Sequence, residues 1–239
     1  MPSFHLNALL ASLSEGEAAA LTPHLKSVNL KQKDVLVDAG EMMSVVYFPV
    51  GAVISLVTAL STGEIVEAAM VGKDGMFGAS SALDGKISVT RAIVQLGGPA
   101  LVCAPDELRR AAFQSERLLS KLIRQEQSLF AQAQQSTACM ATHDIHSRLC
   151  RWLLRARDLA GTDTLDFTQE FLAELLGVRR TSVTTVAMTL QQAGLIKYSR
   201  GSIQLVDLEA LQDASCECYA ATKSLYTTQL VRLSHSQMP

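Results

Sequence analysis

The run TQEFLAELLGVRRTSVTTVAMTLQQAGLI, Thr168 to Ile196, decides how this chain is read. Phe171, Leu172, Leu175 and Leu176 recur at three- and four-residue spacing, which gives a short helix one apolar face. Thr168 is placed to cap that helix, with Glu170 in its first turn. Gly177 ends it, because a glycine adopts the left-handed conformation of a helix terminus without a Cβ penalty. Val183, Val186, Ala187 and Leu190 then resume the helical period. The second helix opens with Arg179, Arg180, Thr181, Ser182, Thr184 and Thr185, guanidinium forks and short hydroxyls suited to phosphate oxygens and base edges. The pattern is a helix-turn-helix whose second helix reads DNA.

The next residues strengthen this reading. Ile196 leads into Lys197-Tyr198-Ser199-Arg200-Gly201-Ser202, and Ile203-Gln204-Leu205-Val206 follows. Two short strands around a basic turn form a wing, with Lys197 and Arg200 as further DNA contacts. Upstream, Leu149, Trp152, Leu153 and Ala156 supply an apolar helix face on which the motif rests, and Trp152 is expected in the core. Gly161-Thr162-Asp163 marks a turn and Leu165-Asp166-Phe167 a short strand. A helix from about Leu208 to Leu233 closes the chain.

The first half has a different texture. Leu9, Leu10, Leu13, Ala18 and Leu21 make short helices, with Ser14 and Glu17 at capping-box spacing. Beyond Lys26 come short β-branched runs at 35–37, 45–48, 52–57, 65–68, 91–94 and 100–102, with glycines between or beside them. Such spacing predicts an antiparallel β-roll or barrel. After Pro105 a continuous helix is expected from Asp106 to about Ala141. Leu119, Leu122, Glu126, Leu129, Ala133, Ser136, Met140 and His143 form a seam at 3.5-residue spacing, read as a parallel homodimer helix; packing on the chain's own β-roll is the alternative. A dimer suits DNA, since two units read half-sites about one helical turn apart. The expected class is thus α+β, with a β-roll at 1–105, a dimerisation helix and linker at 106–143, and a winged helix-turn-helix at 144–239.

Composition bounds the function. The net charge of −2 is uneven: residues 146–200 carry eight Arg/Lys against five acids, a net +3, which leaves −5 elsewhere. A nucleic-acid partner is expected for the C-terminal part alone. No apolar run spans a bilayer and the N-terminus lacks a basic leader, so the expectation is a cytoplasmic protein with no membrane partner. Five scattered cysteines fit a reducing compartment. No nucleophile elbow, phosphate loop or metal-spaced His/Glu pair appears, so no catalytic residue and no enzyme activity are expected.

Taken together, RLxRWLL at 148–154, the helix-turn-helix and GLIxYxRGxI at 194–203, behind a glycine-punctuated roll containing VGKDGMFG at 71–78, resemble a Crp/Fnr-type transcriptional regulator. The resemblance covers nearly the whole chain and is most specific in the C-terminal half. It implies a homodimer on a near-palindromic operator, RNA polymerase as a further partner, and an N-terminal domain of the cyclic-nucleotide-binding type. Carried over, Thr168 and Gln169 lie near backbone phosphates, and Arg180 matches the arginine that reaches guanine. Thr181 and Thr185 stand where cyclic-AMP receptors have Glu and a second Arg, so a different half-site is expected.

The corresponding effector pocket is Gly78, Ala79, Ser80, Ser81, Thr90 and Arg91. Ala79 replaces the ribose-binding glutamate, and Arg91 follows Thr90 in reversed order relative to the phosphate-binding Arg-Ser pair. Cyclic AMP is therefore not expected. No cysteine precedes Cys103, which argues against the family's iron–sulfur cluster. Haem, for which His5, His24 or a Met could serve as ligand, is not expected, since lone histidines are more often surface or core residues. Cys216 and Cys218, one residue apart on a helix, would point about 200° apart and make a poor chelate; in His143-Asp144-Ile145-His146 the two histidines, three apart, could share a helical face with a metal, but at the junction of dimer helix and DNA domain a hinge is the plainer reading. No metal or cofactor is expected, and the effector, if there is one, is unidentified. Two alternatives remain: a ligand-independent DNA binder controlled by its abundance, and a β-roll interaction module with a merely structural helix-turn-helix.

Overall fold

The structure, a computed structural model, describes residues 4–199 and 201–235, with side chains as far as Tyr226. Two short helices, α1 (Ala8–Ala11) and α2 (Glu15–Leu21), open the chain. The Ser14–Glu17 capping box is formed, each side chain taking the other residue's backbone N–H. Strands β1 (Lys26–Leu30), β2 (Val35–Val37), β3 (Val46–Pro49), β4 (Val53–Ala59) and β5 (Ile65–Val71) follow; α3 (Ala79–Leu83) precedes β6 (Arg91–Leu96) and β7 (Gly98–Cys103). They form two antiparallel sheets, ordered β1-β7-β3 and β2-β6-β4-β5. Strand β1 was not legible in KSVNL, where most residues are polar and exposed; pairing with β7 defines it.

The helical region is interrupted where continuity was expected. Helix α4 (Pro105–Phe113) ends before Ser115, whose side chain caps α5 (Glu116–Thr142) by accepting from Leu118 N. The expected seam of α5 is largely the face turned inward. Leu122 is fully buried in the core with Leu108 and Leu118, and Leu129 packs on the roll among Leu56, Ala69 and Phe77. One turn further on, Gln132 exchanges hydrogen bonds with the Met70 backbone at 3.3 and 3.2 Å. Leu119, Ala133 and Met140 are half-buried. The large apolar residues exposed on the outer face are Ile123 and Phe130, at 47% and 66%.

Asp144 breaks the path of α5 and caps α6 (Ile145–Ala160), accepting from His146 N and Ser147 N. Strand β8 (Thr164–Asp166), α7 (Gln169–Leu176), α8 (Arg180–Gln192), β9 (Ile196–Ser199) and β10 (Ser202–Leu205) complete a winged unit with sheet order β8-β10-β9. The expected closing helix is divided into α9 (Leu208–Asp213) and α10 (Cys218–His235). Cys216 therefore precedes a helix rather than lying within one, and the geometric objection to a Cys216/Cys218 pair does not hold.

One apolar core joins roll to winged unit. Val53, Val57 and Met70 of the roll meet Trp152, Phe167 and Phe171, with Trp152 edge-on to Phe167 at 4.8 Å. At the centre of this junction the buried Glu67 carboxylate accepts from Trp152 Nε1 at 2.9 Å and from the Ser55 hydroxyl. Burial raises its pKa to about 7, against the lowering effect of the Ser55 hydrogen bond and of nearby Arg151, Trp152 and Arg155. Nearby, Arg155 donates to Asp74 at 2.6 Å and stacks over Tyr226 at 4.2 Å. Among the described residues no helix is long and apolar enough to cross a membrane.

Candidate nucleic-acid interface

The two helices of the motif form as their sequence dictates. Thr168 caps α7 by accepting from Phe171 N at 3.2 Å, and Gly177 closes it at φ 63°. Leu172, Leu175 and Leu176 point into the core, as do Val183, Val186, Ala187 and Leu190 of α8. With one face of α8 so committed, the opposite face carries Arg180, Thr181, Thr185 and Met188 to the surface. Its first turn holds no acidic residue, and Arg179 precedes it in extended conformation. The positive end of the helix dipole and two guanidinium groups are thus combined at one exposed terminus.

Three hydroxyls of α8, those of Thr184, Thr185 and Thr189, are occupied internally. Thr185 donates to Thr181 O at 3.0 Å and Thr189 to Thr185 O at 3.2 Å. Thr184 lies 2.6 Å from Gln169 Oε1 and 3.0 Å from Arg180 O, so its single proton is shared between them. Gln169 and Thr184 therefore tie the two helices together, a role the phosphate-contact expectation did not include. Ser182 is half-buried. Lys197 is exposed on β9, and Gln191 Oε1 accepts from Tyr198 N at 2.8 Å, holding the wing to α8. Arg200 lies outside the described residues.

Sequence reading missed Met188. At 56% exposure it extends the stripe of Thr181 and Thr185 by one helical turn, and its exposure follows from the register that buries Ala187 and Leu190. A groove of about 590 Å³ separates the start of α8 from the β4–β5 hairpin, lined by Glu64, Val66, Glu170, Glu174, Arg179 and Arg180. Its carboxylates partly balance the two arginines in this docked arrangement.

The expected effector residues do not all converge. Gly78, Ser80, Ser81 and Thr90 line a cavity of about 210 Å³ between the roll and α5, together with Glu126, Leu129 and Phe130. Ala79 is buried outside that lining, and Arg91 is turned to Asp38 at 3.2 Å. Glu126 Oε1 accepts from Ser80 N at 3.1 Å, and burial raises its pKa. The charged group in this cavity is thus an acid.

A helix-turn-helix followed directly by a two-stranded wing, joined through a long helix to an antiparallel roll, defines a winged DNA-binding architecture. Residues 147–214 match the Crp-like helix-turn-helix domain, and the chain carries that domain. Over 80–88% of the chain the fold is that of solved Crp/Fnr regulators. FixK2 from Bradyrhizobium japonicum superposes with a TM-score of 0.68 at 16% identity, covering 80% of this chain and 98% of its own. A putative transcriptional regulator of the Crp/Fnr family from Eubacterium rectale gives 0.66 at 15%, covering 88% and 98%. A CRP-family transcriptional regulator from Thermus thermophilus gives 0.65 at 23%, covering 80% and 96%. No curated protein matches this chain.

Proposed function

We propose that the chain is a sequence-specific, homodimeric DNA-binding transcription regulator. The observation that carries this reading is α8 itself: its inner face is sealed in the core, while Arg180, Thr181, Thr185 and Met188 are presented outward beside the wing residue Lys197. An α-helix of this kind fits the major groove, where an arginine pairs bidentately with guanine and a methionine or threonine methyl meets the thymine methyl. Two-fold association through Ile123 and Phe130 of α5 would set two such helices side by side, and RNA polymerase is the partner the family resemblance implies.

Control would come through the junction at Glu67 and Trp152. A ligand shifts the orientation of the winged unit only if it binds two arrangements of that junction unequally. The roll cavity is small against ordinary ligand sites of roughly 300–1,000 Å³ and presents Glu126 where a cyclic phosphate would need a cation. This favours an uncharged or cationic effector, or none, over cyclic AMP.

The test is selection of bound fragments from the source genome by the purified chain at fixed moderate salt, since affinity depends on salt. Recovery of a two-fold-symmetric site with half-sites spaced by about one helical turn is the expected result. Recovery of unrelated fragments, with or without cell extract as a ligand source, would overturn the reading.

A further inference from the structure

At the far end of α5, four side chains from two distant parts of the sequence meet. Cys139 and His143 lie one helical turn apart, His143 being the residue that ends α5. Cys216 lies in the bend after α9, and Cys218 begins α10. The Cys139 and Cys216 sulfurs are 3.5 Å apart, and the Cys218 sulfur lies 3.6 Å from His143 Nδ1. All four potential ligand atoms fall within 4.8 Å of one another. The three cysteines are buried and His143 is half-buried. None of them takes part in the DNA-contacting surface.

We propose that Cys139, His143, Cys216 and Cys218 form a tetrahedral zinc site that joins the end of the long helix to the C-terminal segment. Zinc–sulfur and zinc–nitrogen bonds of about 2.3 and 2.0–2.1 Å place tetrahedral sulfurs about 3.8 Å apart, and sulfur and nitrogen about 3.6 Å apart. The two pairs above already approach these separations. The longest separation requires a shift of about 1 Å, within reach of a side-chain rotation. Three thiolates and an imidazole are a donor set of structural zinc, and soft sulfur ligands disfavour magnesium and calcium.

The surroundings complete the site. His143 Nε2 lies 3.2 Å from the Glu217 carboxylate, so a proton held there leaves Nδ1 free to bind metal. The Thr142 hydroxyl, 3.4 Å from Nδ1, is an exposed group that the metal would displace. Gln135 Nε2 donates to the Cys218 sulfur at 3.0 Å, a bond that stabilises a thiolate. On binding, each thiol releases its proton and the complex of zinc with three thiolates carries one negative charge. Arg148 and Arg151, both buried, supply opposing charge, and Arg151 Nε has no hydrogen-bond partner.

The site is independent of the DNA-binding reading. Its test is to purify the full chain under reducing conditions without chelator, measure bound zinc, then strip the metal and titrate with cobalt. The expected result is one zinc per chain, and the visible absorption of tetrahedral, thiolate-ligated cobalt, reversed by zinc. Cys216→Ser and Cys218→Ser are expected to abolish both, while Cys103→Ser and Cys150→Ser retain them. Glu217→Gln is expected to weaken zinc about 10–100-fold with the cobalt geometry kept. Wild-type Tm rising with added zinc gives a readout that requires no variant. A reduced chain that binds neither metal, an octahedral cobalt spectrum, or a Cys139–Cys216 disulfide with no zinc after reduction would each overturn the proposal.

Discussion

Trp152 of α6 donates its indole N–H to the Glu67 carboxylate of β5 at 2.9 Å, across the junction of roll and winged unit. Both groups are buried, and a buried carboxylate is costly unless it is neutral or well bonded. The raised pKa of Glu67, about 7, gives this junction a pH dependence. Between the ordinary value of 4.5 and about 7, the folded chain keeps a proton that the unfolded chain has released. This contribution is therefore complete at the acid end of that window and is lost as pH rises through about 7. Thermal unfolding from pH 5 to 8 is expected to show a falling Tm in the wild type and a flatter profile in Glu67→Gln, which should be the more stable at pH 8. Parallel profiles would show that Glu67 does not titrate in this window.

Arg180→Ala and Lys197→Ala separate base reading from backbone attraction. Loss of a bidentate guanine contact should weaken the selected operator by about 1–3 kcal/mol, while unrelated DNA is little affected. Lys197→Ala should weaken both alike and lower the salt slope by about 1. Binding assays at several salt concentrations distinguish these outcomes; equal loss on both DNAs for Arg180→Ala would remove it from base recognition.

The two faces of α5 predict opposite effects. Replacing the exposed Ile123 and Phe130 together by Glu should yield a folded monomer by sedimentation. Leu122→Ala, at a fully buried position, should cost roughly 2–5 kcal/mol in denaturant unfolding and leave dimer affinity of the remaining folded chain little changed. A dimer that survives the double Glu substitution would place the interface elsewhere.

Two helix-ending glycines differ in their surroundings. Gly177 and Gly194 have φ of 63° and 77°, but a Cβ at 177 would meet Val66 of the roll at 3.2 Å, whereas one at 194 meets nothing within 4 Å. Gly194→Ala should lose about 1 kcal/mol for the left-handed conformation alone, and Gly177→Ala more. Equal losses in urea unfolding would mean that Val66 yields without cost.

The helix-turn-helix, its wing and the capping box at Ser14 were legible in sequence because each rests on local chemistry: an apolar period, a side-chain cap, a glycine that alone tolerates the left-handed turn. The exposure of Arg180 and Thr181 was legible for the same reason, since the register that buries Val183 and Leu190 fixes which face remains. Met188 follows from that same register but was hidden by its apolar character. What local pattern could not settle was competition between partners for one surface. The seam through Leu122 and Leu129 satisfied a coiled-coil spacing, yet the roll lies against that face, leaving Ile123 and Phe130 outside. Arg91 was assigned to an effector by its place in the chain, whereas Asp38 claims it. Cys139 and Cys216, 77 positions apart, had no spacing to announce them; only the return of the chain beside α5, with its break between α9 and α10, brings their sulfurs to 3.5 Å. Periodicity and capping act over a few residues and are written in the sequence, while contacts between distant segments are decided by which faces the tertiary fold leaves in competition.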